Sequence, residues 1–543
     1  MMFIPWIFGD EYLYLSKARN LKRGIDVLAD VSQGHTYPPL YSYLLSLVMG
    51  SDPLVSYQSA ILLNVAVSQL LILLSIFFLN RVFAWTKTKA GWLYVGLLYL
   101  VMATSTMITG FYFVAMSENL YTPLVILVFS LVVYLSHVYS KKQKQAWLLA
   151  GTIGCTCGLA ILTRTIGVVL LPAVLMSLLF FVRPKKRAWL PILLTGVVIA
   201  VMAIGLPKLF TTWEMSRVVH DGLEQANYEE LSSGYMGVVR SFLTGKGDWF
   251  VAFKIVGNHV SYLLYASFFF PLLFLIHEIV AMLKTKKVDV LTIFVLVFAM
   301  GSFAVSFLHD YLGFQQQPIR YSTYFRYFDQ AVILFVLYGL IKLWQWLHQK
   351  TMPNKISLGL FAAISLVGIL FLPPRDFYIT LNSFGWAWLD IFLQAQWLIK
   401  VAGIGLVALT AAITWQKKLH PILLLTIVVL QVASIPIILD MHRWLSSDFQ
   451  ALVAPVRSLA VDDGIRDWYI VGDYQEQGLL GELYFVKYLL LFYGDAFVPV
   501  EVVSDNRAPT SGSVLISPPN SAADLTGGTI RYSSDKLDLN VIQ

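Results

Sequence analysis

The sequence predicts an α-helical multi-pass membrane protein carrying a small α/β domain at its C-terminal end. Three observations lead there. Only 13% of the 543 residues are charged and 57% are hydrophobic, with a mean hydropathy of +0.69, whereas a soluble globular protein carries about 25% charged residues. Apolar stretches long enough to cross a bilayer, which takes about 20 residues, recur along the chain. Short basic clusters fall in every second connection between them, as the positive-inside rule requires. The formal net charge of +7 is therefore that of cytoplasmic loops rather than of a nucleic-acid surface.

The apolar stretches run approximately 54–80, 91–113, 119–139, 146–163, 165–182, 188–206, 258–283, 289–308, 328–347, 355–372, 397–415 and 419–439, roughly twelve spans. Arg81/Lys87/Lys89, Lys141/Lys142/Lys144, Arg183/Lys185/Lys186/Arg187, Lys284/Lys286/Lys287, Lys350/Lys355 and Lys417/Lys418 mark the cytoplasmic connections. The outer face then receives loops 9–53, 207–257 and 309–327, segment 373–396 and the short turns at Ser117-Glu118 and Thr163-Arg164. Residues 1–440 form the expected transmembrane domain. Residues 441–543 read as an extracytoplasmic domain, with strands at Asp467–Asp473, Val498–Val503 and Ser513–Ser517 and an amphipathic helix at Gly478–Tyr493. No cleavable signal peptide is visible, and Met1–Phe8 is too short to span. Cys155 and Cys157 sit in an apolar run on different helical faces and read as packing residues.

The unusual chemistry collects at the outer ends. Residues 10–24 read as a helix lying along the membrane surface, with Tyr12, Leu13 and Leu15 among Lys17, Arg19 and Arg23. Neighbouring residues on a helix point about 100° apart. Asp10 and Glu11 therefore share one site only if Asp10 precedes the helix, where it would act as an N-cap. Pro38-Pro39 opens a second short helix or a rigid elbow, and His35 and Tyr37 before it read as interfacial anchors. Glu118, in Met-Ser-Glu-Asn-Leu-Tyr, is a carboxylate at a helix end that needs a partner, with Ser117 as the expected cap of the following helix. Arg164, Arg320 and Arg326, the last two each followed by Tyr (Tyr321 and Tyr327), are cations against the outer-face charge bias. Each alone reads as a snorkelling residue. Together they outline a pocket with acids to activate a nucleophile and planar guanidinium forks suited to phosphate.

Other chemistries find no support. His277-Glu278 lacks the second histidine of a zinc helix, and there is no Walker loop and no serine elbow. Asp473 reads as a turn aspartate. No ligand cluster suggests a metal, and no cofactor is expected. A transporter or flippase of a lipid-linked sugar would place ionisable groups near the bilayer midplane on broken helices, whereas here the span centres are nearly free of charge. A membrane scaffold would leave the outer acids and arginines without a use.

The pattern resembles the GT-C membrane glycosyltransferases, especially the bacterial branch of protein O-mannosyltransferases and lipid A aminoarabinose transferases. Asp10-Glu11-Tyr12, Tyr37-Pro38-Pro39-Leu40-Tyr41, Met116–Tyr121, Leu162-Thr163-Arg164 and Phe325-Arg326-Tyr327 occur in the family's order, and an outer C-terminal domain fits as well. In two respects the chain departs: Tyr37 stands where the aminoarabinose transferases carry Lys, and the first helix expected before Asp10 is missing. The resemblance implies a bacterial inner-membrane enzyme that moves a sugar, usually with inversion, from a polyprenyl-phosphate donor to a protein, lipid or polysaccharide acceptor outside the cytoplasm. It implies Asp10 as general base and Glu11 as a neighbouring structural or acceptor-binding acid. Glu118, His35 and Tyr37 are then acceptor or supporting residues, and Arg164, Arg320, Arg326 and Tyr327 lie at the donor phosphate.

Overall fold

The computed structural model describes residues 7, 9–24, 38–139, 143–180, 189–215, 235–286, 288–316, 325–348, 355–371, 384–392, 395–444, 446–471, 480–493, 500–503, 510–518, 529–533 and 537–542. The first helix, α1 (Gly9–Arg23), carries Asp10 and Glu11 in its first turn and Lys22 and Arg23 in its last, the arrangement that complements the helix dipole. It stops at Gly24, whose φ of 70° suits glycine. Pro39 leads into α2 (Leu40–Ser46), as expected. The bundle then starts with α3 (Pro53–Phe83), where the Asp52 side chain accepts from the Val55 N–H at 2.8 Å and Pro53 occupies the first turn.

The remaining membrane helices are α4 (Lys89–Ala103), α5 (Thr106–Tyr112), α6 (Glu118–Val138), α7 (Gln143–Thr163), α8 (Leu170–Leu179), α9 (Trp189–Met215), α10 (Trp249–Ala266), α11 (Phe270–Thr285), α12 (Val290–Gln316), α13 (Asp329–His348), α14 (Lys355–Leu370), α15 (Gln396–Trp415) and α16 (His420–Trp444). Among the described residues, eight helices are long and apolar enough to cross a membrane, and two bent pairs raise the number to as many as ten. The shorter apolar stretches Thr165–Leu179 and Lys355–Leu370 occupy the other two expected positions. Each of the roughly twelve expected stretches thus falls on helix, two of them as bent pairs.

Residues 91–113 bend by 54° between α4 and α5, and 258–283 by 107° between α10 and α11. At the first break the Thr104 hydroxyl donates back to the Leu100 carbonyl at 2.7 Å, a local bond that competes with the helix ladder. At the second, Pro271 in the first turn of α11 cannot continue a helix from α10. Phe268 and Phe269 take left-handed φ values of 58° and 63° there, an uncommon conformation for bulky side chains, and both are buried.

Burial sorts the helices. In their most apolar stretches, 83% of α6 and 78% of α13 are buried inside the bundle, against 22% of α9, so α6 and α13 are its centre. Leu62, Leu70, Leu73 and Phe77 on α3 and Val197, Val201 and Ile204 on α9 are exposed and form the lipid-facing belt of a multi-pass membrane protein. At one end of the bundle, Lys417 donates to the Trp346 carbonyl at 2.9 Å, Trp344 packs 4.6 Å from Tyr94, and Tyr94 lies 5.9 Å from Trp85, next to Lys87. The N-termini of α6 and α13 lie at the other end.

A small sheet closes the chain. Strands β1 (Trp468–Val471), β2 (Val500–Val503), β3 (Val514–Ser517), β4 (Thr529–Ser533) and β5 (Asp538–Val541) are ordered β2-β1-β3-β5-β4. β1 runs parallel to β2 and β3, while β5 pairs antiparallel with β3 and β4. Helices α17 (Ser446–Arg457) and α18 (Leu480–Tyr493) accompany it. The first three strands and α18 agree with the sequence reading. α17, β4 and β5 are additions: the two strands are short and carry Arg, Asp and Asn, which blur the apolar signal.

Candidate active site

Four charged side chains from four separate elements meet at the N-terminal ends of the two central helices. The Arg326 Nη2 donates to Asp10 Oδ2 at 2.7 Å, and Arg326 Nε lies 3.0 Å from Glu118 Oε1. Arg164 Nη1 also donates to Glu118 Oε1. The resulting row alternates Asp10, Arg326, Glu118 and Arg164, two negative and two positive groups. Asp10 is its open member, with 28% of its side chain exposed, against 1% for Glu118, 9% for Arg326 and 8% for Arg164. Burial opposes the charge on Arg326, but Glu118 and then Asp10 outweigh it and hold the guanidinium well above its ordinary proton affinity. Burial acts on Arg164 in the same way, and Glu118 again outweighs it.

Local sequence explains each placement. Glu118 opens α6, where the helix dipole favours an acid. Ser117, expected as its cap, makes no side-chain cap bond. Its hydroxyl instead accepts from Tyr14 at 2.9 Å and lies 3.4 Å from Glu118 Oε2, tying α1 to the start of α6. Asn119 Nδ2 reaches the carbonyls of Phe111 (2.7 Å), Val114 (2.8 Å) and Met116 (3.1 Å) and so folds the turn beneath Glu118. Arg326 and Tyr327 occupy a single 3₁₀ turn before α13. The Tyr327 ring lies beneath both cations, 4.9 Å from Arg164 and 5.9 Å from Arg326.

Asp10 and Glu11 separate, although not as expected: Asp10 is inside the helix rather than its N-cap. Glu11 is fully buried, and its Oε1 accepts from the Tyr57 hydroxyl and the Ala115 N–H, each at 2.6 Å. Those bonds fasten α1 to α3 and to the turn before α6. His35, Tyr37, Arg320 and Asp473 lie outside the described residues.

Several neighbours lacked a motif in the sequence. Asp329, fully buried at the start of α13, accepts from the Tyr262 hydroxyl. The Tyr262 ring stacks on Phe325 at 4.1 Å, fixing the turn that carries Arg326. His259 Nε2 lies 2.8 Å from Ser306 Oγ and 3.4 Å from Asp310 Oδ2. Asp329 follows Tyr327 by two residues at the head of an apolar run, and an ionisable residue there is a signal by itself. Among the described residues no group of three or more His, Cys, Asp or Glu side chains is placed to hold a metal ion.

The bent spans, the two central helices with a charged row at their N-termini and the C-terminal sheet define a membrane protein of the GT-C fold. Among solved structures, ArnT from Cupriavidus metallidurans, crystallised with undecaprenyl phosphate, shares it with a TM-score of 0.52 at 13% identity, over 99% of this chain and 94% of that one. The oligosaccharyltransferase AglB from Archaeoglobus fulgidus, in complex with an inhibitory peptide and a dolichol-phosphate, aligns at a TM-score of 0.37 and 12% identity. It covers 74% of this chain and about half, 52%, of its own. No protein-family model and no curated protein sequence matches the chain. At these identities the likeness is one of fold.

Proposed function

We propose that this protein is a glycosyltransferase that moves a sugar from a polyprenyl-phosphate donor to an acceptor hydroxyl on the extracytoplasmic side of a bacterial inner membrane. One observation carries the reading: a partly exposed aspartate is held by a buried arginine at the head of a charge-balanced row of acids and cations. Asp10 takes the proton of the acceptor hydroxyl as that oxygen attacks the anomeric carbon. The bond from the anomeric carbon to the phosphate oxygen breaks, and its electron pair leaves with the lipid phosphate. A general base typically contributes about 10²–10⁴-fold. Attack from the side opposite the phosphate inverts the anomeric centre.

Arg326 and Arg164, with Tyr327 beneath them and Arg320 near by in sequence, stabilise the charge growing on the leaving phosphate. The row holds no net charge, so an arriving phosphate draws Arg326 away from Asp10 and leaves the carboxylate to the acceptor. Glu118 keeps both guanidiniums in place, Glu11 braces the helix, and the family resemblance gives His35 and Tyr37 the role of acceptor contacts. Residues 441–543 form an extracytoplasmic domain over a transmembrane domain of residues 1–440.

The test is sugar transfer in membranes from cells expressing the chain, with a panel of radiolabelled polyprenyl-phosphate sugars. Wild type transfers one of them, and Asp10→Asn loses at least 10²-fold in kcat at equal expression. Equal transfer by both proteins removes Asp10 from the chemistry. No transfer across pentosyl and hexosyl donors, with movement of the lipid-linked sugar in a flipping assay, replaces the reading with transport.

A further inference from the structure

Helix α18 leaves the C-terminal sheet to lie along α1. At the start of α1, the Tyr484 ring is 5.7 Å from that of Tyr12, and its hydroxyl covers Gly9 so closely that a Cβ there would stand 3.2 Å from it. At the far end of α1, the Arg19 guanidinium lies 4.9 Å over the Phe492 ring. Arg23 Nη2 donates to the Phe492 carbonyl at 3.1 Å, one of the last-turn carbonyls that a helix cannot satisfy internally. Between them the buried Tyr488 hydroxyl donates to the Pro53 carbonyl at 3.0 Å, at the head of α3. One tail helix thus touches both ends of the helix that carries Asp10.

We propose that α18 is the positioning element of the catalytic base. Tyr484 and Phe492 fix the roll of α1 about its own axis so that Asp10 faces Arg326. The inference rests on the transferase reading above. Glu11 and Tyr14 hold α1 from the bundle side, and α18 holds it from the tail side through Gly9 and Tyr12. Asp10 stands about 100° from either neighbour, so its direction is set by the two anchors together. A helix of this length is marginal alone. With its carboxylate some 5 Å from the axis, a roll of 20° moves Asp10 by about 2 Å, and a displacement of 1 Å at a reacting group costs on the order of 10²-fold. Glycine at position 9 is what lets the tyrosine come so near.

The test compares Tyr484→Ala, Tyr484→Phe and Gly9→Val in the full chain, measuring kcat and the donor KM. Tyr484→Ala and Gly9→Val are expected to lose at least tenfold in kcat with donor KM within twofold. Tyr484→Phe, which keeps the ring, stays within threefold of wild type. Arg23→Gln, which removes the guanidinium that donates to the Phe492 carbonyl, gives a smaller kcat loss of the same kind and serves where Tyr484→Ala fails to accumulate. Wild-type kcat in folded Tyr484→Ala and Gly9→Val overturns the proposal, as does a change confined to KM, which would assign α18 to substrate binding. Failure of wild type to transfer any sugar takes down the transferase reading, and this inference with it.

Discussion

Asp10 and Glu11 are chain neighbours with opposite fates, and the difference is geometric. Glu11 faces the bundle and accepts from Tyr57 and Ala115 at 2.6 Å, whereas Asp10 faces the open side and accepts from Arg326. Tyr57→Phe removes the hydroxyl that donates to Glu11 and to the Phe113 carbonyl and is expected to cost about 1–3 kcal/mol, seen as a lower unfolding midpoint in detergent. An unchanged midpoint would mean that Glu11 does not brace α1. Glu118 is the more demanding position. Glu118→Ala leaves two buried guanidiniums facing each other without their shared carboxylate, a loss of about 3–5 kcal/mol together with transfer activity. Glu118→Gln, which retains a carbonyl acceptor, should be milder on both counts. The ordering of the two variants in stability and rate checks the role: equal behaviour would mean that the charge on Glu118 is not what holds the row.

At the scale of elements, the site depends on short pieces wedged between long ones. Segment Phe384–Phe392 packs its Phe384 ring 5.0 Å from Phe111 on α5. A Cβ on Gly110 would meet the same ring at 2.5 Å, so Gly110→Val should push the segment away from α5 and lower the unfolding midpoint. Asp390, in that segment, has its carboxyl pushed up to about 6 by burial, against about 3.9 in an unfolded chain. The folded state therefore keeps this proton to higher pH than the unfolded state does. The resulting stability is fully present below about pH 4 and is lost as the pH rises through about 6. Asp390→Asn should raise the unfolding midpoint at pH 7.5 and leave it unchanged at pH 4, and a thermal scan at both values decides it. A shift of equal size at both would point to a cause other than titration.

For the whole molecule, the sequence made the membrane class, the approximate spans and the presence of a helix over residues 10–24 legible, because a twenty-residue apolar run and an alternating basic cluster are local signals; that this helix is mostly buried, Lys17 and Arg19 included, was not. The bends were not legible as bends, although Pro271 marks one of them. The acid and arginine motifs were readable as a set, but their order along the charged row was not. That Arg326 joins Asp10 to Glu118, and that Glu11 turns inward, depends on contacts between residues 46 to 316 positions apart. Tyr57, Asp329 and Tyr484 escaped because a lone tyrosine or aspartate in an apolar run carries no spacing to read. Orientation is a separate expectation, with a direct check by impermeant-maleimide labelling of intact spheroplasts. Ser511→Cys, in an exposed turn of the tail domain, should label, whereas Lys87→Cys, exposed at the opposite end of the bundle, should label only after lysis. The reverse pattern would put the charged row on the cytoplasmic side.

The contact between Arg23 and Phe492 spans 469 residues of sequence, and this sets an order of events during synthesis. Helix α1 is among the first parts to leave the ribosome and α18 among the last. A helix cannot be held by a partner that has not yet been translated. Until the tail has been made, Asp10 therefore rides on a helix anchored from one side only, and its final orientation waits until α18 has docked. A chain cleaved before residue 480 would keep its spans and lose the second anchor, so on the reading proposed above a cut in the tail silences a site at the opposite end of the sequence.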